Sequence, residues 1–163
     1  MSRPHRLRSE PYVGIRRYFL TICTHNRARH FRRPEVVVRT WSQFLRTAID
    51  ESFAILAYCF MPDHVHVVVE GMTDAAHLAR FVSAAKQRSA FLFARDVGGR
   101  LWQEGYFERI IRCDEDLPTL IGYVIANPVR AGLVENPADY PHWGSQKHSR
   151  EGILEFVGSR RRG

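Results

Sequence analysis

Phe53-Ala54-Ile55-Leu56-Ala57-Tyr58-Cys59-Phe60, then Met61-Pro62-Asp63-His64, then Val65-His66-Val67-Val68-Val69-Glu70 run on without a break in the middle of the chain. The outer runs are rich in β-branched and aromatic residues and Pro-Asp between them is turn chemistry, so the stretch predicts an antiparallel hairpin. Upstream, Tyr18-Phe19-Leu20-Thr21-Ile22-Cys23-Thr24 has the same character and predicts another strand. Between the two, Pro34 stands where a first helical residue is favoured. Val36, Val37, Trp41, Phe44, Leu45, Ala48 and Ile49 then recur at helical spacing, predicting a helix that closes near Ser52. Downstream, Thr73 caps a second predicted helix that turns Leu78, Phe81, Val82, Ala85 and Leu92 inward and stops at Gly98-Gly99. Tyr106 to Ile111 reads as a fourth strand. Asp114-Glu115-Asp116 with Pro118 opens a third helix to about Asn127, its acidic residues opposing the helix dipole. The order strand, helix, strand, strand, helix, strand, helix predicts an α+β layer with helices packed on one face of an antiparallel sheet.

The 163 residues suit one domain, and 45% apolar with 12% aromatic residues is enough to build a core, which excludes wholesale disorder and a fibrous chain. The net charge of +7 is unevenly placed. Residues 1–33 hold nine Arg against one Glu, residues 34–146 hold 10 basic against 14 acidic side chains, and residues 147–163 hold five basic against two acidic. Basic ends around a mildly acidic middle suit a polyanionic partner, of which nucleic acid is the commonest. The expected division is a flexible basic arm over residues 1–15, one domain over 16–143, and a basic tail over 144–163 that either docks back through Ile153 to Val157 or stays mobile. Cys23, Cys59 and Cys113 form no C-x-x-C pair, no apolar signal-peptide run opens the chain, and no stretch is long enough for a membrane span. These features predict a cytoplasmic protein with no membrane partner.

His64 and His66 are two apart at the start of a strand, so period-two alternation puts both imidazoles on one face, where they can share a metal ion. Eight His in 163 positions give about 0.4 such pairs by chance, so spacing alone does not specify a metal. Tyr123 and Asn127 are four apart and share a helical face; on pattern alone Tyr123 also fits a core position, and Asn127 a helix end before Pro128. Asp63, flanking the pair, should point away from His64.

Three ordered blocks go further: Met61-Pro62-Asp63-His64-Val65-His66-Val67-Val68-Val69, Leu101-Trp102-Gln103-Glu104-Gly105-Tyr106-Phe107-Glu108-Arg109-Ile110-Ile111-Arg112, and Tyr123-Val124-Ile125-Ala126-Asn127-Pro128-Val129-Arg130-Ala131-Gly132-Leu133-Val134. Together they resemble the REP-associated tyrosine transposases, members of the single-tyrosine HUH transposases, named for His, a bulky apolar residue and His. The resemblance runs from about Tyr18 to Trp143 and implies a ferredoxin-like α+β fold. It also implies that His64 and His66 bind a divalent ion, Mg²⁺ or Mn²⁺ ahead of Zn²⁺, with Asn127 as third ligand and Tyr123 as nucleophile. The implied activity is that of a transposase, a single-stranded DNA endonuclease and strand transferase that recognises a hairpin-forming repeat and cuts the adjoining single strand through a 5′-phosphotyrosine intermediate. Monomers and homodimers both occur among such proteins.

The chemistry suits these residue types, because imidazole and carboxamide are neutral ligands and leave a bound divalent ion nearly its full charge for a scissile phosphate. Arg27, Arg29, Arg32 and Arg33 after the first strand, and Arg80, Lys86 and Arg88 on the second helix, are candidates for phosphate contact, which supplies affinity without sequence information. Trp102, Tyr106 and Trp143 are candidates for stacking on unpaired bases, or for the core. Two other classes fit the same residues: a DNA-hairpin-binding protein that no longer cuts, and a small metal-dependent phosphodiesterase that does not need Tyr123.

Overall fold

The structure is a computed structural model that describes residues 12–160. In chain order its elements are β1 Arg17–Cys23, α1 Pro34–Asp50, β2 Phe53–Met61, β3 His64–Gly71, α2 Leu78–Asp96, β4 Phe107–Ile111, α3 Leu117–Ile125, α4 Asn127–Arg130, β5 Trp143–Gly144 and α5 Arg150–Arg160. The strands form one sheet in the order β4-β1-β3-β2-β5, antiparallel throughout. The first four strands with their helices are the expected ferredoxin-like α+β arrangement, and β3 lies at its centre, paired on both edges.

Period-two alternation divides the side chains of each strand between two cores. One core combines Tyr18, Leu20 and Ile22 of β1, Phe53, Ile55 and Phe60 of β2 and Val65, Val67 and Val69 of β3 with Phe44 and Ala48 of α1 and Phe81, Val82 and Ala85 of α2. The other sets Ala54, Leu56, Ala57 and Cys59 of β2 and Val68 of β3 against Ile121, Val124 and Ile125 of α3 and Ile153 of α5. The expectation of helices on one face therefore holds for α1 and α2 and is corrected for α3 and α5. The reason lies in β2, which is apolar on both sides and would leave a hydrophobic face in water if only one layer covered it. A bulge in β2 lets Ile55 pair with Val69 and Ala57 with Val68, so Leu56 and Ala57 both face α3 and the alternation restarts in opposite phase.

Three further boundaries differ from expectation. The second helix begins at Leu78 with His77 as its cap residue, not at Thr73. The third ends at Ile125, because Pro128 cannot donate to the helix, and Asn127 instead opens the short α4. Of the arm expected over residues 1–15, residues 1–11 lie outside the described residues; within the rest, Tyr12 accepts from Leu78 N at 3.0 Å and Gly14 donates to Ala76 O at 2.8 Å. The tail docks. Arg150 donates to the carbonyls of Pro141, Trp143, Ala138 and Tyr140, its guanidinium lies 4.0 Å from the Trp143 ring centroid, and Ile153 is 3% exposed in the core.

Candidate active site

His64 and His66 lie on the α3 face of β3, because Val65 and Val67 take the α1/α2 face. Their Nε2 atoms are 3.1 Å apart with the rings nearly perpendicular. Each imidazole is fixed from behind. His64 Nδ1 meets Asp63 Oδ1 at 2.7 Å, and His66 Nδ1 meets Thr21 Oγ1, across the β1 pairing, at 3.0 Å. A carboxylate at Nδ1 keeps the proton there and leaves the Nε2 lone pair of His64 free. Burial, with the charges of His64, Arg130 and Arg27 adding to it, pushes His66 down to about 3, so this ring is neutral near pH 7. Two imidazoles presenting Nε2 to one another fit a shared divalent ion. Among the described residues no group of three or more His, Cys, Asp or Glu side chains converges to hold a metal ion.

Asp63 does not point away from His64, which corrects the expectation: it occupies the turn between β2 and β3, where strand alternation does not apply. Its other oxygen accepts from Arg27 Nε at 3.0 Å, and Arg27 Nη1 donates to Cys23 Sγ at 2.9 Å. Burial raises the Asp63 carboxyl, but the hydrogen bonds from His64 and Arg27 and the Arg27 charge outweigh it and hold the group below the ordinary carboxylate value. Arg27 reaches this position through a left-handed backbone, with φ of 54° at both Asn26 and Arg27, an arrangement that costs a non-glycine residue about 1–2 kcal/mol.

Tyr123 stands on α3, above the same sheet face, and is 53% exposed. Phe19 of β1 joins it to the histidines: its ring stacks on His66 with centroids 5.3 Å apart and meets Tyr123 edge-on at 6.4 Å. A cleft of about 450 Å³ beside Tyr123 is lined by Phe19, Arg109, Glu115, Asp116, Thr119 and Leu120. Arg109 is held there by both oxygens of Glu115. Asn127 donates through Nδ2 to Val124 O at 3.0 Å and accepts at Oδ1 from Arg130 at 2.8 Å, so its carboxamide is tied to the end of α3 rather than to the histidine pair.

The basic candidates divide into two groups. Arg27, Arg29, Arg32 and Arg33 ring the end of the sheet where β3 begins, since Thr24 N and Phe31 N bond to Asp63 O and Pro62 O. Arg29 and Arg32 are exposed there, whereas Arg33 pairs with Glu35. Arg80, Lys86 and Arg88 belong to the helix layer across the sheet and have structural partners: Glu51 for Arg80, Gln103 O and Gly105 O for Lys86, and Thr47 with Asp50 for Arg88. Trp102 and Trp143 are 5% and 1% exposed and belong to the core. Sequence reasoning missed Phe19, Thr21 and Arg130. The first two could be found only from the β1/β3 register; Arg130 was visible as a cation three residues beyond Asn127.

An antiparallel four-strand core with a histidine pair on its central strand and a tyrosine on the helix laid across it defines the HUH class that the three sequence blocks resemble. Residues 15–127 match the sequence profile of the family described as "Transposase IS200 like", more than half of the chain, and the chain belongs to that family. It is similar to a REP-associated tyrosine transposase of Escherichia coli K12, 29% identical over 139 residues, covering 80% of this chain and 76% of that one. A Haemophilus influenzae protein named for the same group is 24% identical over 136 residues, 77% of each chain. Among solved structures, a REP-associated tyrosine transposase bound to a REP hairpin superposes with a TM-score of 0.73 at 21% identity, covering 88% of this chain and 82% of that one. A Deinococcus radiodurans transposase gives 0.53 at 24% identity, over 75% and 97%. At these identities the structural likeness is one of fold. Among the described residues no helix is long and apolar enough to cross a membrane.

Proposed function

We propose that this transposase is a single-stranded DNA endonuclease and strand transferase that cuts beside a hairpin-forming repeat, with Tyr123 as nucleophile. His64, His66 and Asn127 would hold a divalent ion. The observation that carries this reading is the pair of Nε2 atoms 3.1 Å apart on the sheet face over which the exposed Tyr123 stands, with Phe19 touching both. The ion, when bound, would polarise the scissile phosphate and offset the charge that develops on it. Imidazole nitrogens alone would also serve Zn²⁺, but a carboxamide oxygen and phosphate oxygens are hard donors that suit Mg²⁺ or Mn²⁺.

The chain's own residues supply the rest. Asp63 and Thr21 aim the two imidazoles, and Phe19 sets the Tyr123 ring against them. Attack by Tyr123 Oη forms the Oη–P bond and breaks the P–O3′ bond; the phenolic proton passes to solvent and the departing O3′ takes one up. The product is a 5′-phosphotyrosyl link with a free 3′-OH, which keeps the ester for rejoining. Arg29 and Arg32 are the phosphate contacts we favour, because they are exposed at the β3 end of the sheet, while Arg27 orients Asp63, Arg33 pairs with Glu35 and the cations of α2 are spent on the fold. The fold shared with the transposase solved with a REP hairpin supports a hairpin as substrate. Incubation with single-stranded oligonucleotides carrying repeats from beside its own gene, with Mn²⁺, should give a covalent protein–DNA adduct resistant to detergent. Tyr123→Phe should give none. An adduct with Tyr123→Phe would refute the nucleophile, and no adduct from the wild type on any of these hairpins would refute the activity.

A further inference from the structure

The guanidinium of Arg130 makes three contacts with Tyr123 and Asn127, and the reaction so far described gives it no part. Its Cζ lies 3.8 Å from the Tyr123 ring centroid, and Nη2 donates both to Tyr123 O at 3.0 Å and to Asn127 Oδ1 at 2.8 Å. Tyr123 is otherwise an exposed side chain that meets Phe19 edge-on. A cation over its ring face, attracted by the ring quadrupole, restrains the ring. On the other side, Asn127 Nδ2 bonded to Val124 O fixes the amide plane, so Oδ1 is presented to Arg130.

We propose that Arg130 is a positioning residue that clamps Tyr123 and competes with the divalent ion for the side-chain oxygen of Asn127, so that loading the ion and freeing the guanidinium toward the scissile phosphate are one event. The inference rests on the reading of Asn127 as a ligand and Tyr123 as nucleophile. Its physical basis is that a divalent cation and a guanidinium on the same oxygen repel each other at close range, so one displaces the other. The displaced guanidinium keeps its planar fork of donors, which matches a phosphate. A plain helix cap would also put a cation on Tyr123 O, but it would not couple to ion affinity through Asn127.

The test is Mn²⁺ affinity, read from loss of the free-ion electron paramagnetic resonance signal, for wild type, Arg130→Ala, Asn127→Ala and the double variant. If a competing bond holds Asn127 most of the time, removing it raises the competent fraction, and Arg130→Ala should bind Mn²⁺ about five-fold tighter than wild type. In the Asn127→Ala background the same substitution should change affinity by less than about two-fold, because the contested oxygen is gone. Despite tighter ion binding, Arg130→Ala should form the covalent adduct more slowly. Arg130→Gln replaces it if the alanine variant does not fold. Equal tightening in both backgrounds would mean general charge repulsion and overturn the proposal, as would unchanged or weaker affinity in Arg130→Ala. Wild type that takes up no Mn²⁺ would overturn the underlying reading and this proposal with it; wild type that binds the ion and forms the adduct, with the two substitutions simply additive, would overturn this proposal alone.

Discussion

Asp63→Ala isolates the group behind His64. The substitution removes the acceptor 2.7 Å from His64 Nδ1 and the partner of Arg27 Nε, and touches neither Nε2 atom. With the Arg27 and Asp63 side chains 45% and 25% exposed, the ion pair contributes at most about 1 kcal/mol to folding. For a chain of this length that lowers the melting temperature by about 2–4 °C. The effect on ion binding should be larger. Removing a carboxylate that orients a ligating imidazole typically costs about 10–100-fold in metal affinity, or roughly 1.4–2.7 kcal/mol. Asp63→Asn keeps an acceptor oxygen and loses only the charge, so its loss should be smaller, about 3–10-fold. Mn²⁺ titration followed by calorimetry, with melting curves on the same samples, separates the two effects. Asp63→Ala that melts within a few degrees of wild type and binds Mn²⁺ within about two-fold of it would refute the claim that Asp63 aims His64.

Gly71→Ala should destabilise the fold by more than about 2 kcal/mol, because its Cβ would fall 2.1 Å from the backbone oxygen of Gly14; an unchanged melting temperature would contradict that packing. Arg150→Ala strips four backbone carbonyls of their donor and uncovers Trp143, at about 2–4 kcal/mol, and should make α5 the first site of limited proteolysis, whereas a protease-resistant tail would speak against its docking role. Folding holds His66 neutral down to about 3, while the unfolded chain takes the proton near its ordinary value of about 6.5. The metal-free protein should therefore lose stability as pH falls below about 6.5, and His66→Gln should flatten that fall. Urea midpoints at pH 7 and 5 measure it, and the same slope in both proteins would refute the assignment.

Much of this was legible in the sequence where the pattern is local. His64 and His66 share a face because β3 is unbroken, and two-residue periodicity inside an unbroken strand is a safe guide. The same rule failed one residue earlier, at Asp63, where the chain is turning and no alternation exists to extrapolate. The second helical layer was hidden because an apolar helix face does not say which side of the sheet it covers, and the residues of α3 and α5 lie far along the chain from the β2 side chains they meet. Phe19 and Thr21 were invisible as site residues for a different reason: their roles follow from which residue of β1 lies opposite His66, and cross-strand register is long-range information. Lys86 and Arg88 show the converse, since on a helix wheel they look like solvated cations, yet each caps acceptors that only the assembled fold brings near.

The bulge in β2 makes the sheet unequally tolerant of insertions and deletions. Deleting Leu56 would leave Ile55 opposite Val69 and Ala57 opposite Val68 in an ordinary ladder, with every other side chain of β2 on its present face and only the burial of one leucine lost. A single deletion inside β3 has no such slack. It would carry part of the strand into the opposite phase, putting valines where the histidines stand and imidazoles into the packed interior beneath α1 and α2. Length variation in this hairpin is therefore expected in β2, at the bulge, and not in the strand that bears the histidine pair.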